Sequence, residues 1–298
     1  MTTVHADLAS ATLDLAPVAE AVGPFPRRPF LEAWAAHRAA HVIVVDDGDA
    51  ALTLWDDAGV IRFAGEADLT DYHSPLGSDP GPVVSSLRET LGAGTRLHLD
   101  SMPAKAMEAV CRGLVASGVA VTPVQHEIAA VLTLADTHEG YLEGLDKKQR
   151  HEVRRKRRRF DEAFGGAHVE RSADALGTFV DMHRSASGDK GEFMTDDMAR
   201  FFEALLASGF VLDTVVTPAG HRVATSFGYE DDDAYYLYNS AFDPAAGHAS
   251  PGVVLVDLLI ERAIEAGMRR FDFLKGDEVY KFRLGAAARP LYEVEVVL

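Results

Sequence analysis

The stretch that decides the fold runs Ser250-Pro251-Gly252-Val253-Val254-Leu255-Val256-Asp257-Leu258-Leu259-Ile260-Glu261-Arg262-Ala263-Ile264 and resumes, after Gly267, as Arg270-Phe271-Asp272-Phe273-Leu274-Lys275-Gly276-Asp277-Glu278-Val279-Tyr280-Lys281. The first part predicts a helix. Ser250 suits the N-cap, where its hydroxyl would accept from an amide of the first turn. Pro251 suits the first helical position, and Gly267 a left-handed C-cap. Arg270 to Leu274 predicts a short strand, closed by the turn Lys275-Gly276-Asp277-Glu278. The helix's first turn, Pro251, Gly252 and Val253, is bare of bulky polar side chains. Amides that face outward there, backed by the helix dipole, form a seat for an anion. Strand alternation sends Phe271 and Phe273 to one face and Asp272 to the other. A desolvated carboxylate at Asp272 would have a pKa raised toward that of a useful base, whereas one held by backbone amides or an arginine would be structural.

Upstream lies Lys147-Lys148-Gln149-Arg150-His151-Glu152-Val153-Arg154-Arg155-Lys156-Arg157-Arg158-Arg159, which holds nine of the chain's 29 Lys and Arg. Val153, Phe160 and Phe164 fall at helical spacing and give this helix an inner face. The remaining side chains either cover apolar surface with their stems or meet an anion, and Arg154 and Arg158 are the candidate phosphate contacts. Further out, two series of elements repeat one order. His41–Val45, Ala51–Trp55 and Val60–Phe63 predict a meander, with Asp-Gly-rich turns between the strands. Helices follow at 80–91 and 104–117, and strands at 96–99, 119–121 and 128–134. In the second half, helices at 176–185 and 196–207 precede strands at 211–217, 223–229 and 234–240. This recurrence predicts two related α/β halves, residues 1–134 and 135–298.

Composition narrows the function classes. A formal net charge of -17 sets the overall field against general binding to nucleic acid or anionic membrane. The single cysteine, Cys111, excludes an internal disulfide framework. Asp257, Glu261 and Arg262 interrupt the most apolar helix, so no membrane span is expected. No basic segment followed by an apolar core opens the sequence, and a cytoplasmic protein is the expectation. The twelve histidines show no metal-ligand spacing with cysteine, and no metal is expected. Asp189 and Lys190 sit in the polar stretch Ser185–Gly191, just after His183, and the stretch is read as a mobile loop over a site.

Ser250-Pro251-Gly252 together with Phe271-Asp272-Phe273-Leu274-Lys275-Gly276-Asp277-Glu278-Val279-Tyr280-Lys281 resembles the C-terminal signature of GNAT acyltransferases of the CelD-like, FemAB-related group. Asp71-Tyr72-His73-Ser74-Pro75-Leu76 and the basic run are further similarities. The resemblance implies two GNAT-like halves, each a mixed, mostly antiparallel sheet flanked by helices, with the working site in the second half and a non-catalytic first half. It implies transfer of an acyl group, acetyl foremost, from acyl-CoA to a small-molecule or peptide amine by direct attack on the thioester. Asp272 would be the base or the amine-orienting carboxylate, and Tyr280 the acid that protonates the leaving thiolate. Lys281, from the Tyr-Lys pair of the signature, would neutralise a phosphate or carboxylate, ahead of Arg283. The donor would lie between the 235–240 strand, at Tyr238 and Asn239, and the 270–274 strand, with its pyrophosphate on Ser250, Pro251, Gly252 and Val253. The usual Arg or Gln with paired glycines is replaced here by His248-Ala249-Ser250-Pro251-Gly252. FemAB relatives use aminoacyl-tRNA, so a tRNA-dependent, peptide-bond-forming transferase is the second reading. A non-catalytic binding protein on the same fold is the third.

Overall fold

A computed structural model describes residues 2–11 and 13–298. The chain forms two compact units, one comprising Ala130–Ala288 and the other the chain up to Ala129 together with Arg289–Leu298. The expected single cut after residue 134 therefore gives way to an insertion. The last strand belongs to the first unit because it pairs with a strand there. Among the described residues no helix is long and apolar enough to cross a membrane.

The first unit contains β1 (Thr3–His5), α1 (Arg28–Arg38), β2 (Val42–Asp46), β3 (Ala50–Asp57), β4 (Val60–Phe63), β5 (Leu76–Gly77), α2 (Gly81–Ser85), α3 (Leu87–Leu91), β6 (Arg96–Met102), α4 (Ala104–Ala116) and most of β7 (Val124–Thr133). The meander β2-β3-β4 forms where alternation and turn chemistry placed it. Asp47 Oδ1 accepts from the amides of Asp49 and Ala50, and Asp56 Oδ1 from that of Gly59, so the aspartates build the turns themselves. Residues 80–91 form two short helices rather than one, parted at Ser86, whose hydroxyl donates to Val83 O. Residues 119–121 are not a strand; β7 begins at Val124.

The second unit continues with α5 (His138–Gly144), α6 (Lys147–Phe164), β8 (His168–Arg171), α7 (Leu176–Arg184), α8 (Asp189–Phe193), α9 (Asp196–Ala207), β9 (Val211–Val216), β10 (Arg222–Glu230), β11 (Ala234–Phe242), α10 (Pro251–Glu265), β12 (Arg270–Lys275) and α11 (Val279–Arg283); β13 (Ala287–Val297) then pairs antiparallel with β6. Its strands lie in the order β12-β11-β10-β9-β8, all antiparallel except β11 and β12. A parallel pair needs a crossover, and α10 is that crossover. Leu255, Leu259, Ile260 and Ala263 of α10 pack with Tyr235 and Phe271 on one face of the sheet. On the other face Phe179 of α7 and Phe202 of α9 meet Phe227 of β10, with ring centroids 5.5 and 4.7 Å apart. Burying each such side chain contributes about 1.5–3 kcal/mol. Each face of the sheet thus has its own helical cover, which makes the second unit an α/β layer structure.

Candidate active site

β11 and β12 pair over only three positions, Ala234 with Arg270, Tyr235 with Phe271 and Tyr236 with Asp272. Beyond them β11 runs on to Phe242 and β12 to Lys275 with no further pairing. Two local irregularities open this wedge. Tyr238 is the extra residue of a bulge against β10, where Phe227 faces Asn239 but Gly228 faces Leu237. Leu274 adopts a left-handed φ of 61°, a conformation that costs a non-glycine residue about 1–2 kcal/mol. The Asp272 carboxylate accepts the Leu274 amide at 2.8 Å, and the Leu274 side chain is buried; together these hold the strained turn in place.

The paired end of the wedge is anchored. Asp213 of β9, fully buried, accepts from Arg171 at 2.8 Å through both oxygens and from Arg262 of α10 at 2.8 Å. Tyr235 donates to the same carboxylate at 3.1 Å and lies stacked on Phe271, with centroids 5.1 Å apart. Burial, with the Asp213 charge behind it, pushes the Tyr235 phenol well above its ordinary range, so it is a permanent donor. A second buried acid, Asp257 of α10, is held by Arg157 at 2.8 Å and His138 at 2.9 Å. The carboxylate that interrupts the apolar run thus ties α10 to α5 and α6. One basic side chain of the run, Arg157, is engaged in this tie rather than with an anion.

The open end is bare. A 3-10 turn over Pro244–Ala249 delivers Ser250 in a left-handed conformation, φ 58°, and its side chain makes no cap bond. The Ser250 N-cap inferred from Ser-Pro-Gly is therefore corrected, because capping requires extended backbone at that position. Pro251 is buried while Gly252 and Val253 are half-buried. A side chain at Gly252 would stand in ordinary contact with Phe242, at 3.4 Å. Val253 lies on the wall of a cleft of about 340 Å³ that is also lined by Lys148, Gln149, Glu152, Val153 and Lys156 of α6 and by Tyr280, Arg283 and Leu284. Glu152 bonds Arg155, which pulls its carboxyl down to about 2. The cleft therefore sets three cations against one permanent anion. Tyr280 is 41% exposed as a residue, but the atoms crowded around it and, behind them, the charge of Glu278 push its phenol up to about 12, so its hydroxyl stays protonated at neutral pH.

The residues expected from the sequence separate accordingly. Val253 and Tyr280 meet in the cleft, next to Gly252; Arg283, ranked below Lys281, is there too. Lys281 is not. Its ammonium is buried, bonded to the Lys275 carbonyl and to Glu278 at 2.9 Å. It clasps the β12–α11 turn over Gly276, whose φ of 113° and lack of a side chain that clasp requires. Tyr280, Lys281 and Arg283 belong to one short helix, α11. Asp272 is buried at the root of the wedge and does not line the cleft. Arg154 and Arg158 are exposed and do not line the cleft either; Arg154 pairs with Glu139.

Tyr238 and Asn239 sit on the unpaired part of β11. Tyr238 packs on Phe202 and Phe210, with centroids 6.0 and 5.5 Å away. Asn239 Oδ1 accepts from its neighbour's amide, that of Ser240, and from His183 Nε2, each at 2.7 Å. The His183–Asn239 pair escaped the sequence reading because 56 residues separate the partners. Among the described residues no group of three or more His, Cys, Asp or Glu is placed to hold a metal.

Comparison with known proteins bears on this geometry. Residues 147–282 match a family model described as the acetyltransferase (GNAT) domain. No curated protein matches the sequence. Among solved structures, FemX superposes with a TM-score of 0.61 at 13% identity, covering 89% of this chain and 91% of that one. The C-terminal domain (DUF2156) of a putative lysylphosphatidylglycerol synthetase from Agrobacterium fabrum gives 0.61 at 12% identity over 89% and 87%. A conserved protein of unknown function from Bacteroides thetaiotaomicron gives 0.62 at 12% identity over 90% and 89%. At such identities these likenesses concern the fold. Domain model, parallel wedge and fold together bear out the resemblance carried by 271–281: residues 147–282 form a GNAT acetyltransferase domain, in a chain whose fold is similar to that of FemX.

Proposed function

We propose that this chain is an N-acyltransferase whose second unit seats an acyl donor along the β11–β12 wedge and passes the acyl group to an amine. The wedge carries this reading. Strand edges left unpaired beyond Tyr236 and Asp272 can bond an extended pantetheine or aminoacyl arm, and the bare first turn of α10 opens beside them. Acetyl-CoA is the first donor to test, with its phosphates over Gly252 and Val253 and toward Lys148, Lys156 and Arg283. Tyr280 is the donor of a proton or hydrogen bond to the leaving group, since its phenol is never ionised near neutrality. Asp272 acts by fixing the turn that opens the wedge, and Lys281 by closing the turn after it. The first unit is assigned no catalytic group.

A second donor, aminoacyl-tRNA, is favoured by one observation. Two of the three cations facing the cleft, Lys148 and Lys156, stand on the basic helix α6, whose nine Lys and Arg together exceed what one pyrophosphate requires. Isothermal calorimetry with acetyl-CoA, longer acyl-CoAs and charged tRNA, followed by transfer assays on primary amines, separates the readings. A ligand at 100 times its Kd raises stability by ~2.7 kcal/mol. Binding without transfer to any amine would turn the chain into a ligand-holding protein on the same fold.

A further inference from the structure

The wedge has two faces, and the face opposite α10 carries a proton acceptor. His183, at the end of α7, is 1% exposed. Asn239 Oδ1 already accepts the Ser240 amide, which fixes the orientation of its carboxamide, so His183 Nε2 must be the donor in their 2.7 Å bond. Nδ1 then carries the lone pair. It faces the Lys190 carbonyl at 3.4 Å, one acceptor opposite another. An N–H placed between them would satisfy both, and an ammonium carries three. Asn239 lies three residues beyond the last β11–β12 pair, so this seat adjoins the open wedge.

The geometry points to His183 as a further catalytic residue of the transfer reaction: it takes a proton from the acceptor amine, which enters from the α7 side under the Ser185–Phe193 segment. This rests on the acyltransferase reading above. The ammonium gives one proton to His183 Nδ1, and the freed nitrogen pair forms the new C–N bond. The bond from the acyl carbon to sulfur, or to the ester oxygen of an aminoacyl donor, breaks with its electron pair. The leaving group takes up the second proton shed by nitrogen, and the imidazolium returns its own to solvent. Asn239 is the positioning residue that fixes the tautomer. Burial keeps His183 below its ordinary pKa, and the Lys190 charge works in the same direction. The other groups around it are Phe179 of its own helix and Phe193 of α8, with centroids 4.8 and 6.3 Å away. Arg184, next in sequence, is engaged with Asp196.

The experiment measures kcat/KM for acetyl-CoA or charged tRNA with primary amines between pH 5.5 and 9. Wild type is compared with His183→Gln and Asn239→Asp, and the 15N spectrum of the imidazole is recorded on the full chain. We expect His183→Gln to lose roughly 10²–10⁴-fold and to abolish the acid limb of the profile, with acyl-donor affinity unchanged. Asn239→Asp places a carboxylate on Nε2–H, favours the imidazolium and moves the limb to higher pH. A limb unmoved in both variants overturns the inference while leaving the transferase reading intact. If His183→Gln fails to fold, the Asn239→Asp profile decides alone. An Nδ1–H tautomer in the spectrum overturns the inference whatever the activity. A wild-type protein inactive with every donor and amine overturns the transferase reading itself, and this inference with it.

Discussion

The two ends of helix α10 are built on opposite principles. From its second turn onward, Asp257 and Arg262 engage buried or half-buried partners, Arg157, His138 and Asp213, and the strand behind it is paired and stacked. Its first turn has no side-chain cap, begins from a left-handed serine and faces a cleft. Stability is concentrated where no ligand is expected, and a helix start without a side-chain cap, beside a strand pair that parts early, where one is. A site can be left under-bonded only when something nearby over-determines its geometry. Here two buried acids and the Asp272–Leu274 turn do so.

The largest expected effect tests the anchored end. Asp213→Asn should cost about 3 kcal/mol in urea unfolding, because two arginines and a tyrosine lose a shared ionic partner; their partial exposure keeps the figure at the lower end for a broken buried pair. A loss under about 1 kcal/mol would make this network no stronger than a surface pair, and the contrast would dissolve. At the open end, Tyr280→Phe should leave the melting temperature in place and reduce kcat by ~10²-fold, with donor affinity retained. Unaltered turnover would remove proton donation from the cleft. Gly252→Asp sets a negative charge at the mouth of α10, where space exists beside Phe242. Donor Kd should rise on the order of tenfold, about 1.4 kcal/mol, in a folded protein; unchanged calorimetry would move the anion seat elsewhere. Replacing Lys148, Lys156 and Arg283 by Gln should weaken donor binding by a few-fold and flatten its salt dependence, whereas Arg154→Gln with Arg158→Gln should not. Equal effects of the two sets would mean that the basic helix acts through its overall field and not through the cleft.

The smallest effect is one of pH. Burial lowers the affinity of His138 for a proton, but the Asp257 bond and the nearby acids outweigh it, and its pKa in the folded state lies above 6.5. A raised folded pKa adds stability that is full below 6.5 and is lost as pH rises through the folded value. Wild type should therefore lose under about 1 kcal/mol more than His138→Gln between pH 6 and 8.5 in urea titrations. Parallel curves would show that Arg157 alone holds Asp257.

How far the sequence discloses this depends on the range of the forces involved. Helix α10, strand β12 and both meanders follow from periodicity and turn residues, which act within a few positions. The wedge was legible only through resemblance, since a bulge at Tyr238 and a left-handed Leu274 have no composition signal. Ser250 misled because the 3-10 turn before it, not its own hydroxyl, sets its backbone. The Lys281 ammonium reads as a surface charge until Lys275 O and Glu278 fold over it. Arg283 was ranked below Lys281 on the Tyr-Lys pairing alone, which does not show which side chain of a helical turn faces the cleft. Glu293, Val294, Glu295 and Val296 do carry the alternation of β13, which a register shift separates from Leu291. That signal lies beyond the 271–281 signature, in residues to which no element was assigned.

The return of β13 to the first unit has a consequence for the order in which the protein is made. The part of β13 that pairs with β6, Tyr292 to Val297, follows all of 130–288 in the chain, yet β6 waits for it as an antiparallel neighbour. Synthesis runs from the N-terminus, so the strand position beside β6 stays unfilled while the whole inserted segment is being made. The half of the molecule begun first is finished last, and until then its open edge is the part of the nascent chain in need of protection.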